Sequence, residues 1–357
     1  MAGLYTTYQL LSVQRKLKRL PAFFLQWFTT QINFQEDKIA FDKVFTDLTR
    51  IAPFVAPTAQ GKVIKEEGYN AVAFKPAYVK PKHVIDPNMI IPRQPGESLG
   101  TGSLTIAQRR DAVIAFLLTK HRAMHENTWE WMAAQALING YVDVSGELYP
   151  TTRVDFGRDP ALTGTVDWTA AGYTSEQTFD DIYLMKRTAN DKSVSGAVIT
   201  TMIFGADAWS QFVKVNKEIL YGKGGLMDRN VGGSETSVTR LWDGLEGVEY
   251  MGRIAGLNGK GAFEIYVNTQ KFRDENNQSQ YMFPQNKILG VSQAVDGVRC
   301  FGAVLDKAAG WQSLEYFPKM WENEDPSVEY LMTQGAPLMV PRDPNATFLL
   351  TVMPQQP

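Results

Sequence analysis

Three histidines and one cysteine bound the chemistry that this 357-residue chain can carry. His121 and His125 stand four apart, so on a helix both imidazoles share one face, a spacing that can chelate a metal. A zinc-protease pattern would need glutamate beside the first histidine; residue 122 is arginine, and Glu126 points away from the pair. The rings are therefore expected to pack beside Leu118 and Trp129, with a metal-dependent enzyme using His121 and His125 as a rival reading. His83, the third histidine, lies in a distant proline-rich stretch.

The remaining candidates are weaker. Gly222-Lys-Gly-Gly225 lacks the spacing of a phosphate loop and follows a predicted helix instead of opening one. Gly256-Leu-Asn-Gly-Lys-Gly261 joins two predicted strands and reads as a hairpin loop, not a dinucleotide turn. Asp180-Asp181 fall in the first turns of a predicted helix, where carboxylates complement the helix dipole. Cys300 has no histidine near it in sequence and reads as a buried strand residue. No nucleophile elbow is present. The inventory argues against an enzyme, and no catalytic residue, cofactor or metal is expected.

The elements that would position these groups are more informative. Thr105-Ile-Ala-Gln108 has capping-box spacing, and neither glycine nor proline follows until Gly140, a candidate C-terminal cap. The spacing predicts a helix on the order of 50 Å long. One apolar stripe runs Ile106, Val113, Leu117, Met124, Trp131, Ile138, and a second adds Ile114, Leu118, Trp129 and Met132. It lacks the sustained heptads of a coiled coil.

Upstream, Phe74 to Glu97 holds five prolines, yet Tyr78, Val79, Val84, Ile85, Met89, Ile90 and Ile91 lie between them. Each proline deletes a backbone donor, which confines strands at 62–65, 71–74 and 78–84 to an edge or a two-stranded hairpin. Such a hairpin is marginal alone, so it must lie on the body or on another copy. Residues 1–50 are equally short of self-sufficient structure. Leu4, Tyr8 and Leu11 are helically spaced, then Phe23, Phe24, Trp27 and Phe28 follow Pro21, then Ile39, Phe41, Val44 and Phe45. Aromatics this dense need a surface, either a neighbour's or a small core of their own.

Beyond Gly140 a hairpin is expected at 141–144 and 153–156. A helix capped by Thr174 and Gln177, an apolar strand at 197–204 and a helix capped by Asp207 should follow. Further strands are expected at 248–254, 263–267, 288–291, 298–305, 337–340 and 348–353. Mixed helices and strands predict an α+β chain. Hydrophobic residues make up 44% and charged residues 21%, enough core and too little charge for disorder. Net charge is −2, so no global basic field draws the chain to nucleic acid. The distribution is uneven: residues 1–50 hold 7 Lys/Arg against 4 Asp/Glu, and residues 51–98 hold 6 against 4. A basic leading part and an acidic body are complementary, within one chain or between copies. One cysteine fits a reducing compartment. Pro21–Phe28, interrupted by Gln26, is too short for a signal or membrane span.

Leu4-Tyr-Thr-Thr-Tyr-Gln-Leu-Leu11, Tyr78-Val-Lys-Pro-Lys-His83, Val154-Asp-Phe-Gly-Arg158 and Ala336-Pro-Leu-Met-Val340 ahead of Asp343-Pro344 resemble, in this order, the lambda-type major capsid proteins of tailed phages. The resemblance spans essentially the whole chain. It implies the Hong Kong 97-type capsid fold: an N-terminal arm (1–52), an extended E-loop (53–98) and a peripheral domain (99–172) with a spine helix at about 105–139. An axial α/β domain (173–310) and a C-terminal return to the peripheral domain (311–357) complete it. The implied function is self-assembly into hexamers and pentamers of an icosahedral head enclosing double-stranded DNA, without sequence-specific binding. Further implications are a trimeric decoration protein, a portal and a scaffold as partners, residence in the virion after assembly in the host cytoplasm, and no membrane association. An encapsulin-like compartment or a tail component is the alternative. Within this frame the expected subunit contacts are Phe23, Phe24, Trp27 and Phe28 in the arm, with Tyr78, Val79, Lys80, Lys82, Ile85, Met89 and Ile90 in the loop.

Overall fold

The computed structural model describes residues 22–35, 39–43, 70–74, 76–91, 105–146, 149–221, 227–228, 247–254, 261–274, 277–325 and 328–354. The expected features at 1–21, the strand at 62–65, Val44, Phe45, Gly222-Lys-Gly-Gly225 and residues 256–260 lie outside them.

The long helix runs Ile106–Asn139 and begins and ends where local chemistry requires. Thr105 accepts from the Gln108 amide while the Gln108 side chain accepts from the Thr105 amide, closing a capping box. Gly140 ends the helix with φ +74°, a left-handed conformation that suits glycine. A Cβ there would also lie 2.7 Å from Cβ of Arg158. The helix's apolar stripe is not the continuous one expected. Val113, Leu117 and Ile138 are buried with Ile114, Leu118, Trp129 and Met132, but Ile106 and Met124 are exposed. Arg110, His121, Arg122, His125, Glu126 and Glu130 are buried in addition, so polar groups hold the middle of the helix.

Below the helix lies a seven-stranded mixed sheet, in the order Thr163–Thr165, Thr347–Thr351, Lys287–Val291, Thr201–Phe204, Phe263–Asn268, Val248–Ile254, Met227–Asp228. Side chains alternate between its two faces. Phe204, Ile288, Phe348 and Leu350 join Phe179, Ile182 and Phe212 of the helices Ser175–Lys192 and Ala206–Tyr221. Ile203, Leu289, Val291 and Leu349 join the C-terminal half of the long helix on the other side. Because both faces are covered, the central strands read as apolar runs. Thr174 and Gln177 form the expected capping box; the following helix starts at Ala206, so Asp207 sits in its first turn instead of capping it.

A three-stranded sheet, Thr30–Asn33, Val298–Phe301 and Pro337–Val340, packs in the same core as Trp129, Met132 and Ile138. Another, Phe317–Asn323, Val328–Gln334 and Lys82–Ile85, covers the N-terminal half of the helix. The expected boundary at 310 does not follow these hydrogen bonds. Val298–Phe301 pairs with strands beside the long helix, while Thr347–Thr351 is an inner strand of the seven-stranded sheet. Short apolar strands carry no mark of which sheet they enter.

Candidate functional site

The aromatic segment folds onto its own subunit. Phe24–Trp27 forms one 3-10 turn, and Phe23, Phe24, Trp27 and Phe28 are all buried in the core shared with the long helix. The Phe23 ring meets Phe24, Trp27 and Tyr266 at centroid distances of 5.2, 5.7 and 5.6 Å. The turn's free amides converge on one carboxylate: Phe23 and Phe24 donate to Glu130 Oε1 at 2.9 and 2.6 Å, and Leu25 donates to Oε2 at 3.0 Å. Burial raises the Glu130 pKa to about 7, while the three N–H bonds pull it down. The four aromatics expected to meet a neighbour are buried within their own chain, because Glu130 and the long helix supply the surface they need. Nothing in the sequence marks Glu130, because its partners lie more than a hundred residues away.

The proline-bounded stretch is likewise stitched to its own body. Lys82–Ile85 is the edge strand beside Val328–Gln334, which leaves Pro81 free of any ladder duty for its missing amide. Its carbonyl accepts from the Thr333 amide at 3.1 Å. Val79 and Gly335 exchange two backbone hydrogen bonds, and the Tyr78 hydroxyl donates to the Ala303 carbonyl at 2.8 Å. Lys80 Nζ lies over its own Tyr78 ring, and Lys82 Nζ lies over Tyr330 at 4.0 Å. Ile85 is buried among Val113, Ile114, Leu117, Leu118 and Leu331, with half-buried Ile90 against them. So Tyr78, Val79, Lys82, Ile85 and Ile90 have intrachain contacts that the sequence could not reveal. Lys80, Lys82 and Met89 are exposed, as are Val84 and Ile91 between and beyond them.

The same strand brings the three histidines together. His83 Nδ1 faces His121 Nε2 at 2.6 Å, His121 Nδ1 faces the Thr333 hydroxyl at 3.2 Å, and that hydroxyl faces His125 Nε2 at 3.0 Å. Burial drives the His121 pKa down to about 3, helped by His83, His125 and Lys120; burial alone takes His125 to about 4. Beside this chain the Arg110 guanidinium holds the Glu329 carboxylate at 2.7 Å, and Arg122 holds Glu126 at 3.0 Å. The expectation that His121 and His125 pack as polar neighbours of Leu118 and Trp129 describes their burial; Thr333 and His83 were not foreseen.

Two motifs quoted above acquire physical roles. In Val154–Arg158, Val154 and Phe156 are buried, Gly157 has φ +75°, and Arg158 donates to the Leu137 carbonyl at 3.0 Å. Arg158 thus satisfies a free carbonyl in the last turn of the long helix. Asp343 accepts from the hydroxyls of Ser193 and Ser195, tying the 175–192 helix to the tail. Among the described residues, no cluster of three or more metal-ligating side chains occurs, and no helix is long and apolar enough to cross a membrane.

Comparison with known proteins agrees with this architecture. The major capsid protein of Escherichia phage N15 is 28% identical over 354 residues, covering 96% of this chain and 97% of the relative. That of Escherichia phage lambda is 28% identical over 355 residues, with the same coverage of each. A crystal structure of a prophage protein from E. coli CFT073, described as a capsid protein, superposes with TM-score 0.72 at 21% identity, covering 98% of this chain and all of that one. The family model for phage major capsid protein E matches residues 6–352. From end to end of that match, the chain belongs to the phage major capsid protein E family.

Proposed function

We infer that the chain is a shell subunit whose work is self-assembly, closing as hexamers and pentamers into an icosahedral phage head around double-stranded DNA. The observation that carries this reading is the family match over residues 6–352. A net charge of −2 suits a wall that encloses DNA without gripping it, since phosphate affinity grows with each charge neutralised. The basic leading 98 residues and the acidic remainder would complement one another between copies. In this reading the arm is 1–52, the E-loop 53–98, and the peripheral domain 99–172 with its spine at 105–139. The axial domain is 173–310 and the return 311–357, amended so that 347–351 belongs with the axial sheet.

The outward-facing residues form the proposed contact surface. Lys80, Lys82 and Met89 remain candidates from the expected set, joined by Val84, Ile91, Ile106 and Phe116, all exposed. Covering such side chains contributes roughly 25 cal/mol per Å² of apolar area, before the costs of association. A trimeric decoration protein, a portal and a scaffold are further partners of this reading.

Electron microscopy of the purified protein and of native particles tests it. Closed, DNA-filled shells are expected. A soluble monomer at every concentration and salt would overturn the reading, and tubes or DNA-free compartments would favour the alternative assemblies.

A further inference from the structure

All three histidines of the chain converge on one line of contacts joining three elements: His83 on the edge strand, His121 and His125 on the long helix, and Thr333 on the adjoining strand. The line continues outward, because Lys120 Nζ lies 3.4 Å from His83 Nε2. Donor and acceptor roles can then be followed. A lysine ammonium only donates, so His83 Nε2 accepts and His83 Nδ1 carries the hydrogen towards His121 Nε2. His121 Nδ1–H donates to Thr333, whose single hydroxyl hydrogen goes to His125 Nε2. That leaves His125 Nδ1–H as the buried nitrogen without a partner, beside the Tyr316 and Trp129 rings. Every contact is satisfied only while all three rings are neutral.

One added proton on the His83–His121 pair is accommodated if Lys120 withdraws and His83 changes tautomer. A second puts N–H against N–H across a 2.6 Å gap, with two positive rings in contact. Among the described residues no carboxylate acts on either ring. Among groups on the packed elements, Glu126 is bound to Arg122, Glu329 to Arg110 and Asp306 to Lys319. Lys82 turns away over Trp321 and Tyr330. Nor does the gap suit a metal: ligand nitrogens about 2.0–2.1 Å from a tetrahedral ion lie roughly 3.3 Å apart.

We propose that the His83–His121 pair is an acid-released latch between the proline-bounded edge strand and the long helix, closed by neutral rings and opened by the second proton. The sign follows from proton uptake. Freed rings titrate near 6.5, whereas the closed latch holds both rings below their ordinary range. The open form therefore binds more protons as pH falls. Closure contributes fully above about pH 6.5 and is lost as pH drops towards the closed-state values. Each proton that only the open form can hold favours opening roughly 30-fold by pH 5.

The test uses the full chain. Amide exchange over residues 82–91, corrected for the intrinsic pH dependence of exchange, should rise at least about 20-fold from pH 7 to pH 5. Amides of the 263–268 strand should stay flat. The His83→Asn variant, with an amide near the Nδ1 position that cannot titrate, should lose most of that rise. Should it fail to fold, imidazole nitrogen resonances of the wild type decide. His83 and His121 are expected to titrate as a coupled pair, with the second proton taken up below 6.5 and in step with the exchange change. Flat corrected exchange in wild type, an undiminished acid response in His83→Asn, or independent titration of the two rings near 6.5 would each overturn the latch.

Discussion

The seven-stranded sheet and the junction between the long helix and the Lys82–Ile85 strand are both buried, but different forces hold them. At the sheet, Phe204, Ile288 and Phe348 close on Phe179 and Phe212 of the covering helices as hydrocarbon. At the junction a small apolar cluster around Ile85 and Leu118 is flanked by the Arg110–Glu329 pair and the histidine line. Further along the helix, Glu130 clamps the aromatic segment. Apolar burial is non-directional and does not titrate. Hydrogen-bonded and ionic contacts fix one register and depend on protonation. The body is held by area, and the segments laid across it are held by address.

That contrast can be broken by substitution, and the largest effect should come from the sheet. Phe204→Ala is expected to cost about 3–5 kcal/mol in chemical denaturation, the transfer loss plus a cavity. A cost under about 1 kcal/mol would mean the sheet core collapses around the hole and is not the rigid half of the comparison.

Next should come Glu130→Gln. A glutamine keeps one acceptor oxygen and sets an amide hydrogen against at least one of the three backbone N–H groups, for roughly 1–3 kcal/mol. The loss should be local, with faster amide exchange over 22–34 and unchanged protection in the 201–204 strand. Uniform loss of protection would make Glu130 part of the general core.

The smallest net effect should come from replacing both members of an ion pair. Arg110→Met alone strands Glu329 and should cost roughly 1–3 kcal/mol, because the pair is largely buried. Adding Glu329→Met should restore most of that, read as coupling in a double-mutant cycle. If the double variant is no better than the single one, the pair does more than satisfy its own charges.

Local chemistry was legible in the sequence. Thr105 with Gln108, Thr174 with Gln177 and Gly140 all sit at helix ends, because each acts on backbone within one turn of itself. The proline rule also held, placing Lys82–Ile85 at a sheet edge. Partner choice was not legible. Period-two and period-3.6 patterns fix which face of an element is buried and leave open what buries it. Hence the density of Phe23, Phe24, Trp27 and Phe28 calls for a surface, and only the structure names Glu130 and Tyr266 of the same chain as part of it. The polar middle of the long helix was missed for a related reason. Arg110 with Glu329, and His121 with Thr333, are cheap to bury only as pairs, and these partners come from elsewhere in the chain.

The cap at Gly140 and Arg158 has a mechanical consequence. It clamps the end of the long helix that is already sunk in the large core, whereas the far end near Ile106 rests on the one-turn helix Pro87–Ile90 and the Ile85 cluster. With a length of about 50 Å, that is a lever with its fulcrum at one end. A tilt of about 5° at the fulcrum would carry the opposite tip roughly 4 Å, most of one helical turn. Small changes in packing at the clamp would be read out, enlarged, where the proline-bounded segment meets the outside.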